Sequence, residues 1–146
     1  MKLFQETTLS DCHMMDIPTF TDERGSITIA EEKQTSFVCK RTFWLHHINK
    51  GKDRGSHALR TSSEIMIAIH GSFVVELSDG HFTKEILLDN PSKGLFIPPG
   101  IWFRTHSFSI EGICLVLAST DYNKDEYICD FNEYQIIKNK NNDTII

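Results

Sequence analysis

Apolar and polar residues alternate along most of the chain, in short runs divided by turn residues. "FVCKRTFWLHHI" (37–48) sets Phe37, Cys39, Arg41, Phe43 and Leu45 on one face against Val38, Lys40, Thr42, Trp44 and His46 on the other. A period of two predicts a strand. "SITIA" (26–30) follows the turn "DERG" as another. "EIMIAI" (64–69) runs to a tight turn at His70-Gly71 from which "FVVEL" (73–77) returns, the turn chemistry of a hairpin. "SDG" (78–80) leads into "HFTKEILL", and "NPSKG" (90–94) divides that run from "LFIPPG" and "IWFRTHSF". "GICLVLA" (112–118) is apolar enough for a place inside a sheet. "DYNKDEYICDFNEY" (121–134) predicts one short helix or a packed irregular end piece, and 135–146 reads as a polar tail of which "KNKNNDTII" (138–146) frays. Many short strands at regular spacing, with no repeat and no linker, predict one all-β domain over 1–146, a barrel or two-sheet jelly roll.

Composition narrows the partners. A chain of 146 residues suits one domain with one hydrophobic core. The formal net charge of −5 argues against nucleic acid or an anionic membrane surface, since both demand a large basic face. A small anionic ligand stays open, because a few local arginines outvote a mildly acidic whole. Cys12, Cys39, Cys114 and Cys129 lie far apart with no C-x-x-C pair, so they read as buried structural thiols of a reducing compartment. No apolar run has the length of a signal-peptide core or a bilayer span, and the expected location is the cytoplasm.

The chemistry concentrates in "DRGSHALRTSSEIMIAIHGSFVVELSDG" (53–80). Its order, Gly55, His57, Leu59, Glu64 and Gly71, resembles the cupin pattern G-x5-H-x-H-x3–4-E-x6-G, with Leu59 where the second histidine stands. Cupins follow it with P-x-G-x-x-H; here Pro98-Pro99-Gly100-Ile101-Trp102-Phe103 ends on phenylalanine. His57 and Glu64 are two donors where a catalytic metal generally takes three, so the expected metal is none.

A closer resemblance runs from residue 20 to about 134. "DERGSITIAEE", "KRTFWLHHI", "RGSHA", "GSFVVELSDG", "NPSKGLFIPPGIW" and "LVLASTDYNKDEYI" are similar, in this order, to the dTDP-4-keto-6-deoxyglucose 3,4-ketoisomerases, the WxcM-like cupins. The resemblance implies a jelly-roll homodimer with exchanged N-terminal strands. It also implies a cofactor-free reaction, in bacterial surface-glycan biosynthesis, that moves a C4 ketone to C3 through an enediol. In that family an R-G-x-H-A-H segment supplies two histidines; Arg54-Gly55-Ser56-His57-Ala58-Leu59 keeps the first. The family also tends to carry tyrosines at the positions of Phe43 and Trp44, and commonly a histidine at that of Phe103. Losing a proton-transfer imidazole typically costs ~10²–10⁴-fold when nothing substitutes. A more apolar pocket would at the same time lower the pKa of His57 and keep it a neutral base. One base can remove and return a proton on the same sugar face.

The expected site is therefore His57 as catalytic base, with Arg41, Phe43, Arg54, Leu59, Arg60, Glu64, Trp102, Phe103 and Arg104 around a dTDP-linked keto-deoxysugar. Several of these carry a plainer reading too. Arg41, Arg54 and Arg60 offer forks for a diphosphate or are ordinary surface residues; Arg41 stands out because it shares a strand face with Phe43. Trp102 and Phe103 stack on thymine or hexose, or pack in the core. Glu64 fixes the His57 tautomer by a hydrogen bond, or closes a strand end. Arg104 and His106 alternate along one strand as candidates to replace lost donors. Two further readings of the whole stand beside the ketoisomerase: a catalytically impaired nucleotide-sugar-binding cupin, motivated by Leu59, Phe43 and Phe103, and a metal-dependent cupin enzyme.

Overall fold

The computed structural model describes residues 2–140. Two five-stranded antiparallel sheets face each other and enclose the main core. One holds β1 (His13–Asp16), β4 (Arg41–Leu45), β6 (Glu64–His70), β9 (Lys93–Ile97) and β11 (Ile113–Ala118), in the order β1-β9-β6-β11-β4. The other holds β5 (Arg54–Leu59), β7 (Phe73–Ser78), β8 (Thr83–Leu88), β10 (Trp102–His106) and β12 (Tyr127–Ile128), in the order β12-β5-β10-β7-β8. This is the jelly-roll barrel that the strand pattern predicts. Alternation works as expected on β10, where Phe103 and Thr105 are buried and Trp102, Arg104 and His106 face outward. The core between the sheets includes Leu59, Phe73, Leu77, Leu95 and Val116. Among the described residues no helix is long and apolar enough to cross a membrane.

β2 (Thr19–Asp22) and β3 (Gly25–Thr28) form a separate exposed hairpin around the "DERG" turn. Phe20 and Ile27, both 64% exposed, lie on it as cross-strand partners. The following segment carries a one-turn helix, α1 (Glu32–Thr35), which ends where Ser36 takes a left-handed conformation with φ 64°. The strand expected over 37–48 is accordingly shorter: β4 begins only at Arg41, and Phe37 packs instead on the outer face of the first sheet, against Ile17, Ile65 and Ile67.

Three expectations need correction. Residues 64–77 do not form a hairpin: β6 pairs with β9 and β11, while β7 pairs with β8 and β10, so the chain crosses between the sheets at Gly71. Gly71 has φ +65°, and a Cβ there would collide with Ser109 Oγ. Ser109 ties this corner by donating its N–H to Ser72 O and accepting from Ser72 N. A hairpin and a sheet-crossing corner both call for a glycine at positive φ, so local turn chemistry does not separate them.

The tail is the second. Residues 135–139 continue helix α2 (Phe131–Asn139), capped by Asp130, whose side chain accepts from Glu133 N. Lys138 is buried and donates to the carbonyls of Phe4, Thr7 and Gly100 and to Thr7 Oγ. The remainder of the expected tail, 141–146, lies outside the described residues. Third, only Cys114 of the four free thiols is buried; Cys39 and Cys129 are exposed.

Candidate active site

The two sheets part at one end around a cavity of about 490 Å3. β4 and β6 reach it from the first sheet, β5 and β10 from the second, and the segment after β11 closes over it. Glu126 holds that closing segment in place. Its carboxylate accepts from the N–H groups of Thr61 (2.6 Å) and Ser62 (2.7 Å) and from Thr61 Oγ (2.9 Å). Tyr122, Lys124, Tyr127 and Cys129 thereby join the cavity wall.

His57 sits on β5 opposite Phe103 of β10. Phe103 and Tyr127 meet its ring edge-to-face, each with centroids 4.8 Å away. Enclosure in this apolar setting disfavours the charged imidazole, and the nearby Arg41 charge adds to the effect; together they lower its pKa to about 4. His57 is therefore neutral at pH 7, the state expected of a base, as the apolar character of the pocket residues predicts.

Glu64 opens β6, across the barrel from His57, and is 1% exposed. Burial raises its pKa to about 7, with the positive charge of Arg41 acting against the shift. It does not fix the His57 tautomer. Its ionic neighbour is Arg41, with Nη2 3.8 Å from Oε2, and Oε2 makes no hydrogen bond. The guanidinium of Arg41 lies 5.1 Å from the centroid of Phe43 and 5.7 Å from that of Tyr122, and its buried Nε also lacks a partner. A half-buried cation and a buried carboxyl thus meet with donor and acceptor capacity unspent.

Arg54 and Lys124 line the cavity as exposed cations. Arg54 is positioned through its own backbone, where Thr105 Oγ donates to its carbonyl oxygen beside an irregularity in the β5–β10 register.

The cavity thus brings together His57, Phe43, Arg54, Glu64 and Phe103, with Arg41 packed against its wall. Leu59, Arg60, Trp102 and Arg104 lie elsewhere. Leu59, 2% exposed, packs into the core cluster rather than the cavity wall. Arg60 turns outward, bonding Asp125 O and pairing with Glu133. Trp102 and Arg104 are one residue away from Phe103, so the pleat sends them to the opposite face. There Trp102 packs on Phe131 and Tyr134, and Arg104 pairs with Asp53 and Glu76. Trp44 also points out, 57% exposed, and does not line the cavity. Tyr122, Tyr127 and Lys124 were absent from the expected set; the one sequence signal for them is "DYNKDEY", polar and aromatic yet without strand or helix periodicity.

Of the four cupin ligand positions, only His57 and Glu64 bear donors, and Glu64 faces Arg41. A second grouping, Glu76, Glu85 and His106, lies on the outer face, where Arg104 binds Glu76 and His106 binds Glu85. A half-buried arginine beside a carboxyl, facing a neutral imidazole across an aromatic-walled space with cations at its edge, suits a proton-transfer centre that holds an anionic ligand.

The model of the family described as FdtA: WxcM-like, C-terminal matches residues 10–139. A TDP-4-oxo-6-deoxy-alpha-D-glucose-3,4-oxoisomerase of Aneurinibacillus thermoaerophilus is 34% identical over 115 residues, 78% of this chain and 83% of that protein. A crystal structure of a 3,4-ketoisomerase from Helicobacter canadensis is 34% identical and covers 88% of this chain and 98% of its own, with a TM-score of 0.86. QdtA, a sugar 3,4-ketoisomerase from Thermoanaerobacterium thermosaccharolyticum solved with TDP, has 28% identity and a TM-score of 0.88 over 91% of this chain and 98% of its own.

Proposed function

This chain belongs to the FdtA, WxcM-like C-terminal family, and from that premise we propose that it is a 3,4-ketoisomerase of a dTDP-linked 4-keto-6-deoxyhexose, with His57 as the base. The observation that carries the assignment of the base is the neutral His57 imidazole, walled by Phe103 and Tyr127 and facing the same cavity as Glu64. The nucleotide diphosphate suits the cationic edge formed by Arg54 and Lys124. With the sugar directed inward, His57 takes the proton from carbon 3. The double bond of the enediol then joins carbons 3 and 4, and Arg41 offsets the charge gathering on the C4 oxygen. No cofactor enters these steps, because carbon 3 loses the electrons that carbon 4 gains.

The test is proton NMR of dTDP-4-keto-6-deoxyglucose with the protein in heavy water. Exchange at carbon 3 and appearance of the 3-keto sugar are expected, and both fall by about 10²–10⁴-fold in His57→Asn. Absence of exchange at high protein concentration sinks the assignment. The reading as an impaired binder gains no support from the pocket, since Tyr122 and Tyr127 bring phenols to its wall and Glu64 brings a carboxyl.

The same proposal extends to assembly and setting. Two copies exchange their β2–β3 hairpins, a reading supported by the exposed Phe20–Ile27 pair, which has no partner among the described residues that would bury it. Four unpaired thiols suit a reducing cytoplasm. The product serves surface-glycan sugars such as those of the O-antigen of lipopolysaccharide.

A further inference from the structure

Taking the proposed ketoisomerase reaction as its basis, we infer that Glu64 is a second catalytic residue, which carries protons between the two sugar oxygens while His57 carries one between the two carbons. Three observations lead there. Glu64 comes from β6 of one sheet and His57 from β5 of the other, and both line the same cavity, so a sugar lying between them is in reach of both. Glu64 Oε2 is buried without a hydrogen-bond partner, and so is Arg41 Nε beside it. Buried polar atoms are seldom left unpaired in a folded protein, and two adjacent ones at a cavity wall point to a ligand that completes them. Lastly, Leu59 and Phe103 carry no exchangeable proton, and beside the phenols of Tyr122 and Tyr127 the cavity lining offers one carboxyl for the oxygen chemistry, Glu64.

The reaction closes with these two residues alone. His57 removes the proton from carbon 3. The C–H electron pair becomes the C3=C4 bond, and the carbonyl pair at carbon 4 moves onto its oxygen. Glu64 enters as the carboxylic acid and protonates that oxygen, which gives the neutral enediol. In the second half, Glu64 as carboxylate takes the proton of the C3 hydroxyl and the C3 carbonyl forms. The electrons of the double bond then take the His57 proton at carbon 4. Carbon 3 is oxidised, carbon 4 is reduced, and both side chains finish in their starting states.

The starting states agree with the surroundings. The groups facing Glu64 are Arg41 from β4, Cys114 from β11, Tyr127 from β12 and His57 across the cavity. Burial pushes the Cys114 thiol and the Tyr127 phenol upward, so both stay neutral at pH 7. Arg41 is thus the charge that Glu64 feels, and it is not enough to offset burial; the carboxyl is raised to about 7 and is substantially protonated at neutral pH.

Glu64→Gln separates the two roles, because an amide still donates a hydrogen bond to the C4 oxygen while the proton leaves carbon 3, but it cannot take the proton of the C3 hydroxyl. With dTDP-4-keto-6-deoxyglucose in heavy water, ketone transfer should fall about 100-fold or more, while hydrogen exchange at carbon 3 stays within roughly tenfold of wild type. The wild-type rate should decline on the alkaline side with an apparent pKa near 7, and that limb should vanish in Glu64→Gln. Retained melting-temperature elevation by TDP verifies the fold. Should Glu64→Gln lose it, Glu64→Asp gives the same reading by keeping part of the turnover together with the alkaline limb. Near-normal transfer in Glu64→Gln, or parallel loss of transfer and carbon-3 exchange, overturns the inference, the second result marking Glu64 as a positioning residue. Wild-type protein that exchanges at neither carbon overturns the ketoisomerase assignment itself, and this inference with it.

Discussion

The imidazole of His57 loses charge affinity on folding, because two aromatic rings replace the water around it. Its pKa drops from 6.5 to about 4, so between those values the unfolded chain holds a proton that the folded chain does not. Stability from this group is therefore fully present above pH 6.5 and is lost as pH falls toward 4. Glu64 acts in the opposite sense: its folded pKa lies above its usual value, so its contribution is lost as pH rises from 4.5 to about 7. Melting curves of His57→Asn and wild type should accordingly converge as pH falls from 6.5 to 4, and a constant difference across that range contradicts the buried neutral ring. Leu59 supplies a second prediction. Its neighbours are core side chains, so Leu59→His buries an imidazole without a partner and costs about 1–3 kcal/mol while failing to raise turnover; urea unfolding and the NMR assay measure both. The placement of His57, Glu64 and Phe43 at the cavity and of Arg41 against its wall follows from the motif spacing and the two-residue period, which fix their faces. Trp102 and Arg104 lie on the opposite face of β10 from Phe103, since only every second residue of a strand faces the cavity. Tyr122, Lys124 and Tyr127 escaped because an irregular segment held by Glu126 has no period to read.

At the level of elements, local pattern identified strands well and their partners poorly. β10 and β11 alternate in burial residue by residue, β11 although it is apolar throughout. The partners of β6 and β7 depend on which neighbours are already taken, and His70-Gly71 carries no record of that. Helix α2 was hidden for another reason. Lys138 counts as polar by composition, yet its stem is buried on α2 while its ammonium group meets four oxygens. Tyr134, one turn earlier, donates to Ser78 O (3.2 Å) and Gly100 O (2.7 Å), so the helix is fastened at two points. Lys138→Met leaves Thr7 O without a donor and removes one of two from Phe4 O and Gly100 O, which keep Thr7 Oγ and Tyr134, at a cost of about 1–3 kcal/mol, or a melting temperature lower by roughly 2–10 °C. Gly100→Ala should be worse: φ there is +88°, and the added Cβ would collide with Phe4 O and Thr7 Oγ. Calorimetry ranks the two variants, and a neutral Gly100→Ala would refute the contact between the N-terminal segment and this turn.

On the scale of the whole molecule, the acidic balance and the local cations at the cavity are compatible, because recognition is decided where Arg54 and Lys124 sit and not by the sum over the chain. The hairpin of β2 and β3 contributes little to the barrel, and Phe20 and Ile27 are exposed on it. With the proposed exchange of hairpins, Phe20→Asp with Ile27→Asp should lower the sedimentation coefficient to that of a monomer and leave the secondary-structure signal unchanged; an unchanged coefficient refutes the exchange. The jelly-roll class was readable from strand count and spacing, whereas the order of strands within each sheet was not, since it rests on contacts between distant segments.

The bond from Lys138 to Phe4 joins residues 134 apart in the chain. Such a loop is costly to close until the barrel between its ends already exists. Its formation is expected to follow the rate-limiting barrier, so Lys138→Met should raise the unfolding rate and leave the refolding rate almost unchanged, as stopped-flow folding kinetics would measure. The lifetime of the native barrel, rather than the speed of reaching it, is what this one ammonium group governs.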